Sequence, residues 1–403
     1  MSYLHEYLDK MQKDHLGILD LQQELSKQLE EINKIWECYS FVYASALTKD
    51  VPTLSMNSDD FHVIHDMMAG DKPKRVLVYL QTPGGCGQTA ERIAKFLHER
   101  FEEVHFLIAG DAMSAGTILA LSGHEILMSD GGSLGPIDAQ MRIGRSWCSA
   151  HDYITWMETL RTKVQQEGGV HPVDGTILAQ ISPGEVRGVH TALSFAIDRV
   201  ERWLTQYKFR DWSTTEGRRL PVDEDMRKAR AREIANELTN QEKWRSHGTR
   251  LTISDLRELG LQIHRVEDHP ELAEPVARVK ALLWVIFSNS TIFKMYADSE
   301  KRINRQASVA HQDVNPRNAE LLEMDVQCQR CNAHHKFIAR FTDNEATRKA
   351  IEQKGTQLFP KDNKLTCSCG FVIDLTGQRA HIENMVGKKI LDDLQAGGAH
   401  GTS

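Results

Sequence analysis

The sequence predicts an α/β protein built on a parallel sheet. Two observations carry that prediction. Between residues 74 and 128, short apolar runs alternate with stretches of helical periodicity, joined by short turns. The chain has 403 residues, enough for two or three domains with a sizeable core.

Residues 1–50 read as an N-terminal helical segment. Ile18, Leu25 and Ile32 fall seven apart, as do Leu21, Gln28 and Ile35. This heptad stripe has one polar break, at Gln28. It either packs on its own domain or forms a coiled-coil contact in an oligomer. Residues 51–224 read as the main core. KRVLVYLQ (74–81) is rich in Val and Leu and fits a buried strand. After the turn Thr82-Pro83-Gly84-Gly85, residues 88–100 have helical spacing through Ala90, Ile93, Ala94 and Leu97. Val104–Ala109 is the next strand, 114–122 a small-residue helix, and Glu125–Met128 a third strand. Residues 151–167 and 185–212 have helical patterns, and 225–300 read as a mostly helical extension of the core. Residues 301–323 are polar and interrupted by proline, which predicts a linker. A cysteine-bearing module (324–395) and a disordered tail (396–403) complete the chain.

Bulk properties exclude some functions. Net charge is −7, so bulk charge does not favour a nucleic-acid partner. No apolar run approaches the roughly 20 residues of a membrane span. The opening MSYLHEYLDKMQKDH lacks the basic-then-apolar layout of a signal peptide, and a cytoplasmic location is expected.

The most informative feature is Ser114, within Ala112-Met113-Ser114-Ala115-Gly116-Thr117. It stands at a strand-to-helix turn, 29 positions after Gly85. Active sites of parallel sheets lie at the carboxyl ends of strands, where both turns fall. A serine hydroxyl is a poor nucleophile until a base takes its proton, and the developing oxyanion needs fixed donors. Gly84 and Gly85 bring bare backbone close to a carbonyl, and the Ala115 N–H is a natural second donor. The competing structural role for Ser114 is simply to N-cap its helix. A second competing motif is Gly85-Cys86-Gly87-Gln88-Thr89-Ala90 with Asp111, a short dinucleotide fingerprint that leaves Ser114 unexplained.

TPGG (82–85), AMSAGT (112–117), HEILM (124–128) and SLGPIDAQ (133–140) together resemble the serine dehydrogenase proteinase family. These are relatives of signal peptide peptidase A and, more distantly, of the Clp peptidase. SPGE (182–185), WLTQYKF (203–209) and WRSHG (244–248) are similar to later family segments. The resemblance implies a Clp/crotonase-type fold of repeated β-β-α units. It also implies a serine peptidase acting on protein or peptide substrates, assembled as a homo-oligomer. Ser114 would be the nucleophile and Gly84, Gly85 and Ala115 the oxyanion site.

The Clp peptidase takes its base from a histidine near the place that Asp138 fills here. Signal peptide peptidase relatives use a lysine further on. A buried lysine with a depressed pKa serves as a base without histidine. By position the candidates are Lys163 and His151, with Lys208 a weaker one. Asp138 is read as orienting a turn or capping a helix. Two other functions stay open. One is a catalytically inactive scaffold with the same fold, and the other a crotonase-like enzyme acting on acyl-thioesters.

Seven cysteines are present, and four form close pairs, Cys328-x2-Cys331 and Cys367-x-Cys369, separated by 35 residues. In a reducing compartment close pairs point to metal rather than disulfides. Four thiolates with no open position predict one structural zinc per chain, held in a zinc ribbon, and no cofactor for catalysis. His334 and His335 are alternative ligands. So small a module is expected to have little core and to depend on its metal for folding. It would recognise a partner protein or, with less support, nucleic acid.

Overall fold

A computed structural model of the chain describes residues 2–143, 146–215, 217, 219–307, 319–354 and 357–391. The expected tail (396–403) lies outside them, as does part of the expected linker (301–323). The chain forms two compact units. One takes in residues 1–24, 285–291 and 306–403, the other 25–284 and 292–305.

The larger unit is built on a seven-stranded sheet. Its strands are β1 (Tyr39–Ser45), β2 (Arg75–Gln81), β3 (Glu103–Ile108), β4 (Glu125–Met128), β5 (His264–Arg265), β6 (Ile292–Ala297) and β7 (Arg302–Gln306). Their spatial order is β7-β6-β1-β2-β3-β4-β5. From β1 to β5 every pairing is parallel, with Val42 opposite Tyr79, Val78 opposite Phe106 and Phe106 opposite Ile126. β6 runs antiparallel to β1. The apolar run in β2 is buried at five consecutive positions, as expected where helices cover both sheet faces.

Two strands enter the sheet where the sequence pattern points elsewhere. β1 (YSFVYAS) follows a long helix directly and falls in the segment expected to be helical. β6 (IFKMYA) falls in the stretch read as mostly helical, because Lys294 breaks its apolar run. β7 occupies the start of the expected linker. Its polar composition is that of an edge strand with largely exposed side chains. The N-terminal helix Ile18–Trp36 forms as expected, and Ile18, Leu21, Leu25, Leu29 and Ile32 are buried within the single chain.

At the carboxyl ends of the parallel strands lies a second, smaller layer. Asp111–Ala112 pairs in parallel with Ser133–Leu134, and Thr82 bridges to Ala112. β3 and β4 thus each run into a short second strand, and β2 into a single bridge. Helices Gly87–Arg100 and Ala115–Ala120 follow the first two such pairs. This is the repeated β-β-α plan.

The smaller unit contains two cysteine-bearing hairpins. β8 (Leu321–Gln327) pairs antiparallel with β9 (His334–Arg340), which also pairs with β10 (Gln357–Leu358). β11 (Lys364–Thr366) pairs antiparallel with β12 (Val372–Asp374). Helices Glu345–Lys354 and Thr376–Val386 accompany them. Phe337, Phe341, Phe359, Leu375, Ile382, Val386 and Ile390 bury an apolar core around the cysteines. The unit is therefore larger and better packed than a bare ribbon, because its two helices and the strand β10 add apolar side chains. No helix among the described residues is long and apolar enough to cross a membrane.

One histidine ties the serine-bearing helix down. His98 Nε2 donates to the Ser122 carbonyl at 2.7 Å, just beyond Ala115–Ala120, and its ring stacks 3.5 Å from that of Tyr207. Burial pushes its pKa down to about 4. An unfolded histidine titrates near ~6.5. The unfolded chain therefore binds the extra proton first, and this site's contribution is lost as pH falls from ~6.5 toward 4. Thermal unfolding measured at pH 7 and pH 5 should show a smaller drop in Tm for His98→Gln than for wild type.

Candidate active site and metal centre

The two turns singled out in the sequence are laced together by backbone bonds. Thr82 N–H donates to Asp111 O at 2.9 Å, and Met113 N–H donates to Thr82 O at 3.0 Å. Gly84 has φ +95°, and a Cβ there would lie 2.6 Å from Met113 O and 2.8 Å from Ser114 Cβ. Only glycine permits this approach. Gly85, at φ +140°, lies as close to Met56, whose carbonyl would stand 2.4 Å from an added Cβ. Met56 pairs with the turn through its own N–H to Gly84 O (2.6 Å) and through Cys86 N–H to its carbonyl (2.9 Å).

Ser114 has φ +51° and ψ −113°, a conformation that costs a non-glycine residue about 1–3 kcal/mol. It occupies the N-cap position of Ala115–Ala120, yet its side chain makes no capping bond. The competing reading as a simple cap therefore fails. A strained serine on a sharp strand-to-helix turn is the geometry that exposes a nucleophile above a sheet.

The three backbone groups expected around an oxyanion are not equivalent. The Gly84 N–H is engaged by Thr82 Oγ1 at 3.2 Å. Among the described residues, no protein acceptor takes the N–H of Gly85 or Ala115. The competing dinucleotide fingerprint fares poorly, because the Asp111 carboxylate is occupied by Ser133 Oγ (2.8 Å) and Arg250 Nε (2.9 Å).

The structure pairs two residues that the sequence pattern does not connect. His247 Nδ1 lies 2.5 Å from Asp138 Oδ1. Asp138 is buried, and its second oxygen accepts from Gln140 Nε2 at 2.6 Å. A carboxylate only accepts hydrogen bonds, so Nδ1 carries the proton and Nε2 is left as the basic nitrogen. His247 is partly exposed, as a proton-transfer group requires.

Segment 133–138 holds this pair at the serine's end of the sheet. Gly135 N–H donates to Thr117 Oγ1 at 2.9 Å, on the helix that Ser114 opens. Leu134 and Leu251 exchange backbone bonds, and Ile137 N–H donates to Leu238 O. The only sequence signal for His247 is its place in WRSHG, one of the segments that resemble the family. Asp138 is legible in position but not in role.

Lys163 and His151, the bases expected by position, lie on one helix. Lys163 is exposed on helix Ala150–Glu167. His151 sits in the first turn of that helix, where its backbone N–H is capped by Ser149 Oγ and its ring Nδ1 lies 3.9 Å from Asp152. Among the described residues no hydrogen bond joins the side chain of Lys163, His151 or His247 to Ser114, and of the three only His247 is bonded to Asp138. Burial lowers the Lys208 pKa to about 8, with Glu125 pulling it upward. Yet Glu125 begins β4, at the amino end of the sheet and opposite Ser114.

In the smaller unit, the thiols of Cys328, Cys331, Cys367 and Cys369 all lie within 4.8 Å of one another. Cys328 Sγ is 3.6 Å from Cys369 Sγ, and Cys331 Sγ is 3.4 Å from Cys367 Sγ. These distances are far beyond a disulfide bond of ~2.05 Å. They approach the edge of about 3.8 Å expected of a tetrahedron with metal–sulfur bonds near ~2.3 Å. The two hairpins present the thiols alike. Cys328 N–H donates to Ala333 O and Cys367 N–H to Phe371 O, each at 2.8 Å. Asn332 and Gly370 take the positive φ that each tight turn needs. This group of four could hold a metal ion. His335 Nε2 lies 3.2 Å from Cys367 Sγ, suited to supporting a thiolate from outside, and His334 pairs with Asp325.

Residues 56–150 match the family described as ClpP-like SDH-type serine proteinase. Two uncharacterized proteins of Methanocaldococcus jannaschii are similar. One is 34% identical over 83 residues, covering 21% of this chain and 29% of the relative. The other is 26% identical over 195 residues, covering 48% and 53%. The chain thus spans under a third and about half the length of these curated relatives. Among solved structures, two mutants of the 1510-N membrane-bound stomatin-specific protease are each 15% identical with a TM-score of 0.31. One covers 54% of this chain and 76% of that one. The other, in complex with a substrate peptide, covers 61% and 79%. The segment that carries both turns and Ser114 is therefore similar to the ClpP-like SDH-type serine proteinases.

Proposed function

We propose that this chain is a serine peptidase in which Ser114 attacks a peptide carbonyl, His247 moves the proton and Asp138 orients His247. The observation that carries the reading is the buried Asp138 bonded to His247 Nδ1, at the same end of the sheet as the uncapped, strained Ser114. The steps follow from the groups present. Ser114 Oγ bonds to the carbonyl carbon as His247 Nε2 takes its proton. The carbonyl electron pair moves to oxygen, where the free N–H groups of Gly85 and Ala115 receive the negative charge. Collapse breaks the C–N bond, and His247 returns the proton to the leaving amine. Water then cleaves the acyl-serine by the same sequence.

This assignment replaces Lys163 and His151 as base and narrows the oxyanion donors from three groups to two. Substrates would be peptides or proteins, and the family resemblance favours a homo-oligomer. For the cysteine cluster we propose a structural zinc. Four thiolates complete a tetrahedral shell and leave no position for substrate.

A fluorophosphonate probe should label wild type and fail on Ser114→Ala. His247→Ala and Asp138→Asn should each slow labelling by about 10³-fold or more, while Lys163→Ala and His151→Ala label at the wild-type rate. Lost labelling in Lys163→Ala with retained labelling in His247→Ala would overturn the assignment. Metal analysis should find about one zinc per chain, absent from the Cys328→Ser, Cys331→Ser double variant. Because the unit has its own apolar core, the double variant should lower the Tm of this unit without abolishing Ser114 labelling.

A further inference from the structure

Beneath the glycine turn lies a fully buried ion pair that the mechanism above does not use. Lys294 on β6 and Asp60 on helix Ser58–Met67 are both 0% exposed. Lys294 Nζ donates to Asp60 Oδ1 at 2.8 Å and Oδ2 at 2.9 Å. The same carboxylate accepts from Tyr43 OH (3.0 Å), from Tyr296 OH and from the Asn57 backbone N–H (2.7 Å). The two tyrosine rings stack 5.5 Å apart across β1 and β6.

As a stabilising device this arrangement is a poor choice. A buried ion pair gives little net stability over apolar side chains of similar volume. One bond suggests a different use. The third donor site of Lys294 reaches the Ser55 carbonyl at 2.9 Å. Asp60 fixes Asn57 on the other side. Between them stands Met56, whose N–H and carbonyl bond to Gly84 and Cys86. With Gly84 O and Cys86 N–H both held by Met56, the intervening Gly85 N–H is the group left unpaired.

We infer that Lys294 and Asp60, with Tyr43 and Tyr296, are positioning residues that set the Gly85 N–H as an oxyanion donor by clamping Ser55–Asn57 against the glycine turn. The inference rests on the proposed peptidase reading. The network acts through Met56 and touches no substrate.

The test compares Lys294→Met and Tyr296→Phe with Val279→Ala. Val279 is a fully buried position on helix Pro270–Ser288, outside the site, and its truncation supplies a destabilised control. Thermal unfolding reports folding, and a fluorophosphonate probe reports the site. Hydrolysis of p-nitrophenyl acetate separates kcat from KM. Removing an oxyanion donor costs about 10²–10³ in kcat, so displacing one should slow labelling and kcat by about tenfold or more with KM unchanged. Val279→Ala should label at the wild-type rate well below its Tm. Should Lys294→Met not fold, Tyr296→Phe, which removes a single hydrogen bond from Asp60, decides alone. Folded variants that label as fast as Val279→Ala overturn the inference and leave the peptidase reading intact. Wild type that resists the probe overturns the peptidase reading itself.

Discussion

The interlock of two turns is the constraint on which the rest of the site depends. Thr82 and Met113 exchange backbone bonds with the opposite turn, and Gly84 lies against Ser114. Neither turn is stable in this shape alone. Ser114 holds a backbone conformation that L residues avoid, and Gly84 and Gly85 both have positive φ. Each needs the other, and both need the parallel strands behind them. The β-β-α repeat supplies that support by ending successive strands at one level.

Given this interlock, the remaining problem is the proton. A lysine base must be buried and pressed by its surroundings toward neutrality, and Lys163 is exposed. Lys208 has the depressed pKa but stands at the wrong end of the sheet. In the proposed reading the buried carboxylate of Asp138 answers this by holding the imidazole of His247 in one tautomer. On that reading the chain order is serine, aspartate, histidine, the order found in the α/β-hydrolases on another fold. The order carries no weight by itself, since such groups are recognised by geometry.

Much of this was legible in the residues. The apolar runs of β2, β3 and β4 and the turns between them fix the parallel core, and local chemistry marks Ser114 and the four cysteines. What stayed hidden depends on long-range contact. His247 lies 109 positions from Asp138, in a short turn with no periodicity to mark it. β6 was hidden by Lys294, whose charge reads as exposed until Asp60 is found beside it. β7 was hidden by polarity, because edge strands and linkers share that composition. The commitment of the Gly84 N–H to Thr82 is a matter of one bond's direction, which no sequence pattern encodes.

The cysteine unit follows a different logic. Its two hairpins place four thiols at tetrahedral spacing, while its helices add an apolar core of their own. The central claim, however, concerns the larger unit, and a crystal structure of the phosphonylated protein tests it most directly. The account predicts phosphorus bonded to Ser114 Oγ, with the phosphoryl oxygen within hydrogen-bond reach of the Gly85 and Ala115 N–H groups. His247 Nε2 should face the adduct while Nδ1 keeps its bond to Asp138. A phosphoryl oxygen turned to solvent, or a lysine in place of His247 beside the adduct, would contradict it.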